Sequence, residues 1–266
     1  MQILDSSRVV AATGHPGFLA CERRTAPELA RLADGLEHPV GDDAPVEVLR
    51  GRRHEHERAS PPSSPRRGAR LVLLRHGATT APAGVYLGSR LDPPLSALGE
   101  EQARAAGALL AGRRFGVVLV SPLLRARRTA ELAVPGARAA GEPRLRELDM
   151  GEFSGLAWAQ IKARDREAAR AWRAGQAAPG GEPAMVLWQR CAAAALDAVG
   201  RLGPGEDALL VAHSGPIRAL VGCARGLDPA TARLLRTPHG GVRVVRLTPA
   251  VLDRWRALAG QPGAAD

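Results

Sequence analysis

Between residues 69 and 75 the chain reads ARLVLLR, an apolar run that stops at a charged turn. A run this short, with no polar alternation, predicts a strand buried on both faces that delivers polar residues at its carboxyl end. Runs of the same kind occupy 116–122 (GVVLVSP), 207–212 (DALLVA) and 241–247 (GVRVVRL). Helical spacing fills the intervals. Ser96 caps a helix on which Leu98, Gln102, Ala105, Ala106 and Leu109 recur, and further helices are expected near 122–133, 156–173, 183–202 and 215–225. Strands alternating with helices predict an α/β domain built on a mainly parallel sheet, in which ligands bind outside the carboxyl ends of the strands.

The periodicity fails before residue 69. From Val48 to Arg70 the text is VLRGRRHEHERASPPSSPRRGAR, where proline, serine and arginine crowd out apolar spacing, so the segment reads as a linker. Ahead of it lies one helix, capped at Thr25 with Glu28 three residues on and followed by Leu29, Leu32 and Leu36. That is too little for a stable domain. The expected organisation is an N-terminal extension and linker over 1–68 and a catalytic domain over 69–262. A chain of 266 residues, 45% of them hydrophobic, supports one core of ordinary size plus an extension. The N-terminus has no apolar stretch of signal-peptide length and no run of eighteen apolar residues occurs, so the expectation is a cytoplasmic protein with no membrane partner.

Charge narrows the partner class. Residues 1–69 balance 10 arginines against 10 acids, whereas residues 70–266 carry 26 arginines and Lys162 against 17 acids, so the whole net charge of +10 lies in the second part. A basic domain can attract nucleic acid or steer a small anion into a cleft. One tyrosine and three phenylalanines leave few stacking platforms for single strands, which favours the small anion and no nucleic acid. Cys21, Cys191 and Cys223 form no CxxC pair and are odd in number, suggesting neither zinc nor a disulfide framework. His54 and His56, in HEHER, lack the spacing of a metal-binding helix and read as a solvated charge run.

Chemistry gathers at the strand ends. Arg75, His76 and Gly77 leave the first strand where a ligand should sit. Neutral imidazole accepts a phosphoryl group, a guanidinium fork grips two phosphate oxygens, and glycine lets the backbone approach closely. Alone the tripeptide is weak evidence in so arginine-rich a chain. A second strand ends at His213, in LLVAHSGPIRAL, and a third places Arg125 in the first turns of a helix, where free N–H groups favour an anion.

These residues resemble the histidine phosphatase superfamily, the phosphoglycerate-mutase-like group. LLRHGATT, GSRLDPPLSALGEEQA, SPLLRARRTAEL, RLRELDMGEFSG and LLVAHSGPIRAL match five of its blocks in order, over about residues 70–225. The resemblance implies a three-layer sandwich and a phosphohistidine on His76. It implies a phosphate pocket of Arg75, Arg125 and His213, and Glu147 as proton donor, with Asp149 the neighbouring alternative. Gly77 and Thr79 complete the expected phosphate contacts, and no metal or cofactor is called for. The chain departs from the pattern at Pro82, where many members carry asparagine, at Ser214, commonly glycine, and at Phe153, frequently tryptophan. His239, in TPHGG, reads as a turn residue, with a place lining the cleft as the lesser alternative.

The expected function is a metal-independent phosphomonoester hydrolase acting on a small phosphorylated metabolite: a sugar phosphate, a phosphoglycerate derivative or α-ribazole phosphate. A cofactor-dependent phosphoglycerate mutase and a catalytically silent phospho-ligand module are the alternatives, and a homodimer is left open. The substrate pocket is expected from the stretch between Glu147 and Gly181, with Trp158 and Trp172.

Overall fold

A computed structural model describes residues 46–49 and 68–260. The helix expected after Thr25 and most of the linker, with Cys21, His54 and His56, lie outside the described residues.

Six strands form the central sheet: β1 (Val46–Leu49), β2 (Arg70–Arg75), β4 (Phe115–Val120), β5 (Ala139–Gly141), β7 (Asp207–Ala212) and β8 (Val242–Arg246), in the order β1-β8-β2-β7-β4-β5. β2, β7, β4 and β5 run parallel, and β8 is antiparallel to both β2 and β1. The pleat sorts each strand between two layers. Leu71, Leu73, Leu119 and Leu210 face one apolar cluster, with helices α5 (Ala184–Gly200), α6 (Ser214–Ala224) and α8 (Pro249–Ala259). Val72, Leu74, Val118 and Val211 face the other, with α1 (Ala97–Leu110) and α2 (Leu124–Ala133). The result is a three-layer α/β sandwich around a mainly parallel sheet. The helices offer alanine to the sheet at positions such as Ala103, Ala106, Ala194 and Ala195, so close packing here needs few aromatic residues.

Two differences from the sequence reading matter. The stretch expected as one helix over 156–173 begins with β6 (Leu156–Ala157), which pairs with β3 (Val85–Tyr86), and continues as α3 (Trp158–Arg164) and α4 (Arg166–Arg173). The break is at Asp165, whose carboxylate accepts from the Ala168 N–H at 2.8 Å and so caps α4. A small third core of Met150, Phe153, Ile161, Ala169, Trp172 and Ala178 lies under these elements. Secondly, Val46–Leu49, assigned above to extension and linker, pairs with β8 as an edge strand, and Val46 is only 2% exposed.

The first loop of the domain rests on α1. A β-carbon added to Gly77 would stand 2.1 Å from the Gly99 carbonyl oxygen, and one on Gly99 would stand 1.9 Å from that of Ala78. Two facing glycines thus let residues 76–78 lie on the helix, where Gln102 Oε1 accepts from the Ala78 N–H at 2.8 Å and the Ser96 N–H donates to Ala78 at 2.9 Å.

Candidate active site

β2, β7 and β4 end side by side. The His76 N–H donates to the Ala212 carbonyl and the Ser121 N–H to Val211, each at 3.0 Å, which brings His76, His213 and Ser121 to one edge of the sheet. The rings of His76 and His213 lie 5.0 Å apart by centroid. Both are buried, at 5% and 0% exposure.

Hydrogen-bond partners fix the tautomers. His76 Nδ1 lies 2.7 Å from the Gly77 carbonyl, which only accepts, so Nδ1 carries the proton and Nε2 keeps its lone pair. Gly77 thereby serves the histidine: its N–H goes to Thr129 Oγ1 at 3.0 Å, and it does not line the cavity. Ser121 Oγ accepts from the Leu123 N–H at 3.4 Å and lies 2.7 Å from His213 Nε2. Its hydroxyl proton is free to point at that nitrogen, leaving Nδ1 of a neutral His213 as a donor. Burial, then the charges of Arg75 and Arg125, hold the pKa of His76 well below the usual imidazole value, and burial does the same to His213.

The cations converge on the same place. Arg75 donates through Nη1 to the Thr237 carbonyl and through Nη2 to His239 Nε2 at 2.9 Å, and burial brings its pKa down to about 10. Arg125, 1% exposed, donates to the carbonyls of Leu91 (2.8 Å) and Gly88 (2.9 Å) and to Asp92 at 3.2 Å. Asp92 also accepts from the Leu124 N–H at 2.7 Å, so one carboxylate caps α2 and steadies its arginine. Four buried side-chain polar atoms among the described residues lack a partner: Ser154 Oγ, and Arg75 Nε, Arg125 Nε and His213 Nδ1.

Glu147 lines the same cavity. Its Oε1 accepts from the Leu148 N–H at 2.8 Å and from Gly215 at 3.1 Å, at the start of α6, directly after His213. Arg190 fixes the backbone behind it, donating to the Glu147 carbonyl at 3.2 Å while paired with Glu182 at 2.6 Å. Asp149, the alternative acid, is bound to Arg90 at 2.7 Å and does not line the cavity. Burial works to raise its pKa, but Arg90 and the Gly151 amide prevail and lower it.

A cavity of about 760 Å³ joins these groups; Arg75, His76, Thr79, Pro82, Arg125, Glu147 and His239 line it. His213 is fully buried next to His76 and is not itself part of the lining. Trp172 lines the cavity as expected, whereas Trp158 packs behind Trp172, 6.1 Å away.

A sequence profile of the histidine phosphatase superfamily (branch 1) matches residues 71–256. The chain belongs to that superfamily. Among its relatives, the glucosyl-3-phosphoglycerate phosphatase of Mycolicibacterium vanbaalenii is 36% identical over 171 residues, covering 59% of this chain and 75% of the relative. The native structure of mycobacterial glucosyl-3-phosphoglycerate phosphatase superposes with a TM-score of 0.60 at 33% identity, over 66% of this chain and 90% of that one. The alpha-ribazole phosphatase from Shigella flexneri gives 0.60 at 27% identity, over 68% and 92%.

Within this superfamily member, four residues at the site carry no role in the sequence reading. Asp92 and Ser121 position Arg125 and His213, and both stand inside the matched blocks, so a signal for them was present. Arg218, of SGPIRAL, and Arg233 also line the cavity. His239, expected as a turn residue, bonds Arg75 with its ring 5.3 Å from His76. Its pKa falls to about 4, by burial and then by the Arg75 charge, although the residue as a whole is exposed.

Proposed function

We propose that this protein hydrolyses small phosphomonoesters through a phosphohistidine on His76. The observation that carries the reading is the set of unpartnered buried donors on Arg75, Arg125 and His213 around a histidine whose Nε2 lone pair is free. A phosphoryl group supplies acceptor oxygens for all three. In the first displacement, Nε2 of His76 bonds to phosphorus as the ester P–O bond breaks, and protonated Glu147 gives its proton to the departing alkoxide. Water then attacks phosphorus, the P–N bond breaks, Glu147 takes the water's proton, and inorganic phosphate leaves. The charge on the equatorial oxygens is met by arginines and an imidazole, so rates are expected to survive EDTA; a loss restored by Mg²⁺ or Zn²⁺ contradicts this. The relatives named above are phosphatases, which supports a phosphatase over a mutase and points to a phosphorylated metabolite as substrate. The catalytic domain is read as 69–262 with β1 added at its edge.

Two variants test the roles. His76→Ala should abolish both turnover and labelling. Glu147→Gln should slow hydrolysis by roughly 10²–10⁴-fold. With 4-nitrophenyl phosphate the first displacement needs little acid help while water attack still lacks its base, so acid-labile, base-stable phosphate should accumulate on His76. Label on His213 when His76 is replaced would reverse the assignment, and no histidine label under rapid quench would mean direct attack by water.

A further inference from the structure

We infer that Arg218 and Arg233 form a second anion subsite in the same cavity, so that the preferred substrate is a phosphomonoester whose alcohol portion carries another negative charge, as a carboxylate or a second phosphate. This rests on the phosphatase reading and specifies its substrate class.

Several arginines of the domain are neutralised: Arg113, Arg144 and Arg190 each sit on a carboxylate at 2.9, 2.7 and 2.6 Å. Arg218 and Arg233 are not. Each is half-buried, lines the cavity and is held only by backbone carbonyls, Arg218 by Leu235 at 2.9 Å and Arg233 by Trp172 and Arg173 at 2.7 and 2.8 Å. The guanidinium of Arg233 also lies over the Trp172 ring, 4.8 Å from its centroid, which fixes the plane of the fork. The N–H groups left over make no hydrogen bond, yet none is sealed from solvent.

Two such cations side by side are unfavourable without an anion. Burial lowers the pKa of both. The charges of Arg173 and Arg218 depress Arg233 further, while Glu147 is the main influence opposing burial at Arg218. Arg218 also acts on Arg75. Arg218 thus lies within electrostatic reach of the phosphate pocket and of the proposed acid, on which side the leaving alcohol would lie, and Arg233 lines the same cavity. An anion on that alcohol meets planar donors already held in place, which favours carboxylate or phosphate oxygens over a neutral hydroxyl.

The test compares esters that differ in one charged group: 3-phosphoglycerate against glycerol 3-phosphate, and fructose 1,6-bisphosphate against fructose 6-phosphate, with 4-nitrophenyl phosphate as the uncharged-alcohol reference. In the full-length protein the more anionic member of at least one pair should have a kcat/KM greater by roughly 10- to 100-fold, the scale of a charged hydrogen-bonded contact. The pair that responds distinguishes carboxylate from phosphate. In the Arg218→Gln/Arg233→Gln variant that preference should vanish, while 4-nitrophenyl phosphate hydrolysis changes less than about threefold; lysine at both positions should retain part of it. Calorimetric binding of the same pairs to His76→Ala gives the ratio without turnover. It still decides the inference if no ester is hydrolysed, an outcome that sinks the phosphatase reading alone. If the double glutamine variant does not fold, Arg233→Gln and the wild-type ratios carry the decision. Equal kcat/KM and equal affinity within both pairs would overturn the subsite. So would a preference that survives the double glutamine variant, or a parallel loss with 4-nitrophenyl phosphate.

Discussion

A β-carbon added at Gly215 would stand 2.2 Å from Glu147 Oε1, the mobile end of a side chain, whereas one at Gly99 would stand 1.9 Å from a backbone carbonyl. The two substitutions should therefore fail differently. Gly215→Ala displaces the carboxylate but leaves the helix sound, so kcat should fall by about 10²-fold, the cost of a misplaced catalytic group, with an unchanged Tm. Gly99→Ala forces two backbones apart, and its first symptom should be a lowered Tm in a calorimetric scan. Equal effects on stability would show that Glu147 cannot step aside. Much of this site was legible in the text. RHG, the second histidine and Arg125 follow apolar runs, and strand ends in a parallel sheet share one edge. The supporting contacts were less so. Ser121 meets His213 across 92 positions, and His239 reaches Arg75 across 164, separations that no local pattern encodes.

Edge strand β1 shows the same limit at the level of elements. Four residues, VEVL, are too few for an alternation to register beside a proline- and arginine-rich stretch, and their partner β8 lies at the far end of the chain. Strands over 207–212 and 242–246, and helices over 184–200 and 214–224, fall close to the reading because long apolar runs and clear spacing survive any context. The helix Pro249–Ala259 was missed despite its Thr248 cap and proline at the first position. A chain beginning at Gly68 lacks β1 and the fully buried Val46. At about 1.5–3 kcal/mol for such a side chain, and 2–4 °C per kcal/mol in a domain this size, Tm should drop by roughly 3–12 °C. Because β8 separates β1 from β2, kcat should stay within about threefold. An unchanged Tm would mean that the edge strand contributes nothing to the fold.

Over the whole molecule, three histidines whose folded pKa values are lowered, the buried His76 and His213 and the more exposed His239, make stability depend on pH. His76, His213 and His239 all have folded pKa values below the unfolded value near 6.5. As pH falls from there toward 4, the unfolded chain binds more of these protons than the folded one, so stability is lost; above about 6.5 they contribute no slope. Tm should thus be flat from pH 8 to 7 and decline toward pH 4.5, less steeply in His239→Asn between 6.5 and 5. A Tm rising over that range would contradict the neutral histidines. The lobe that walls the cavity has a different consequence. Its interior, around Phe153, Ile161 and Trp172, is a cluster of its own, joined to one layer on the sheet through Leu148. A gene encoding this architecture can accept an altered or borrowed lobe without rebuilding its hydrolytic end, so descendants can inherit one reaction and diverge in what they feed on.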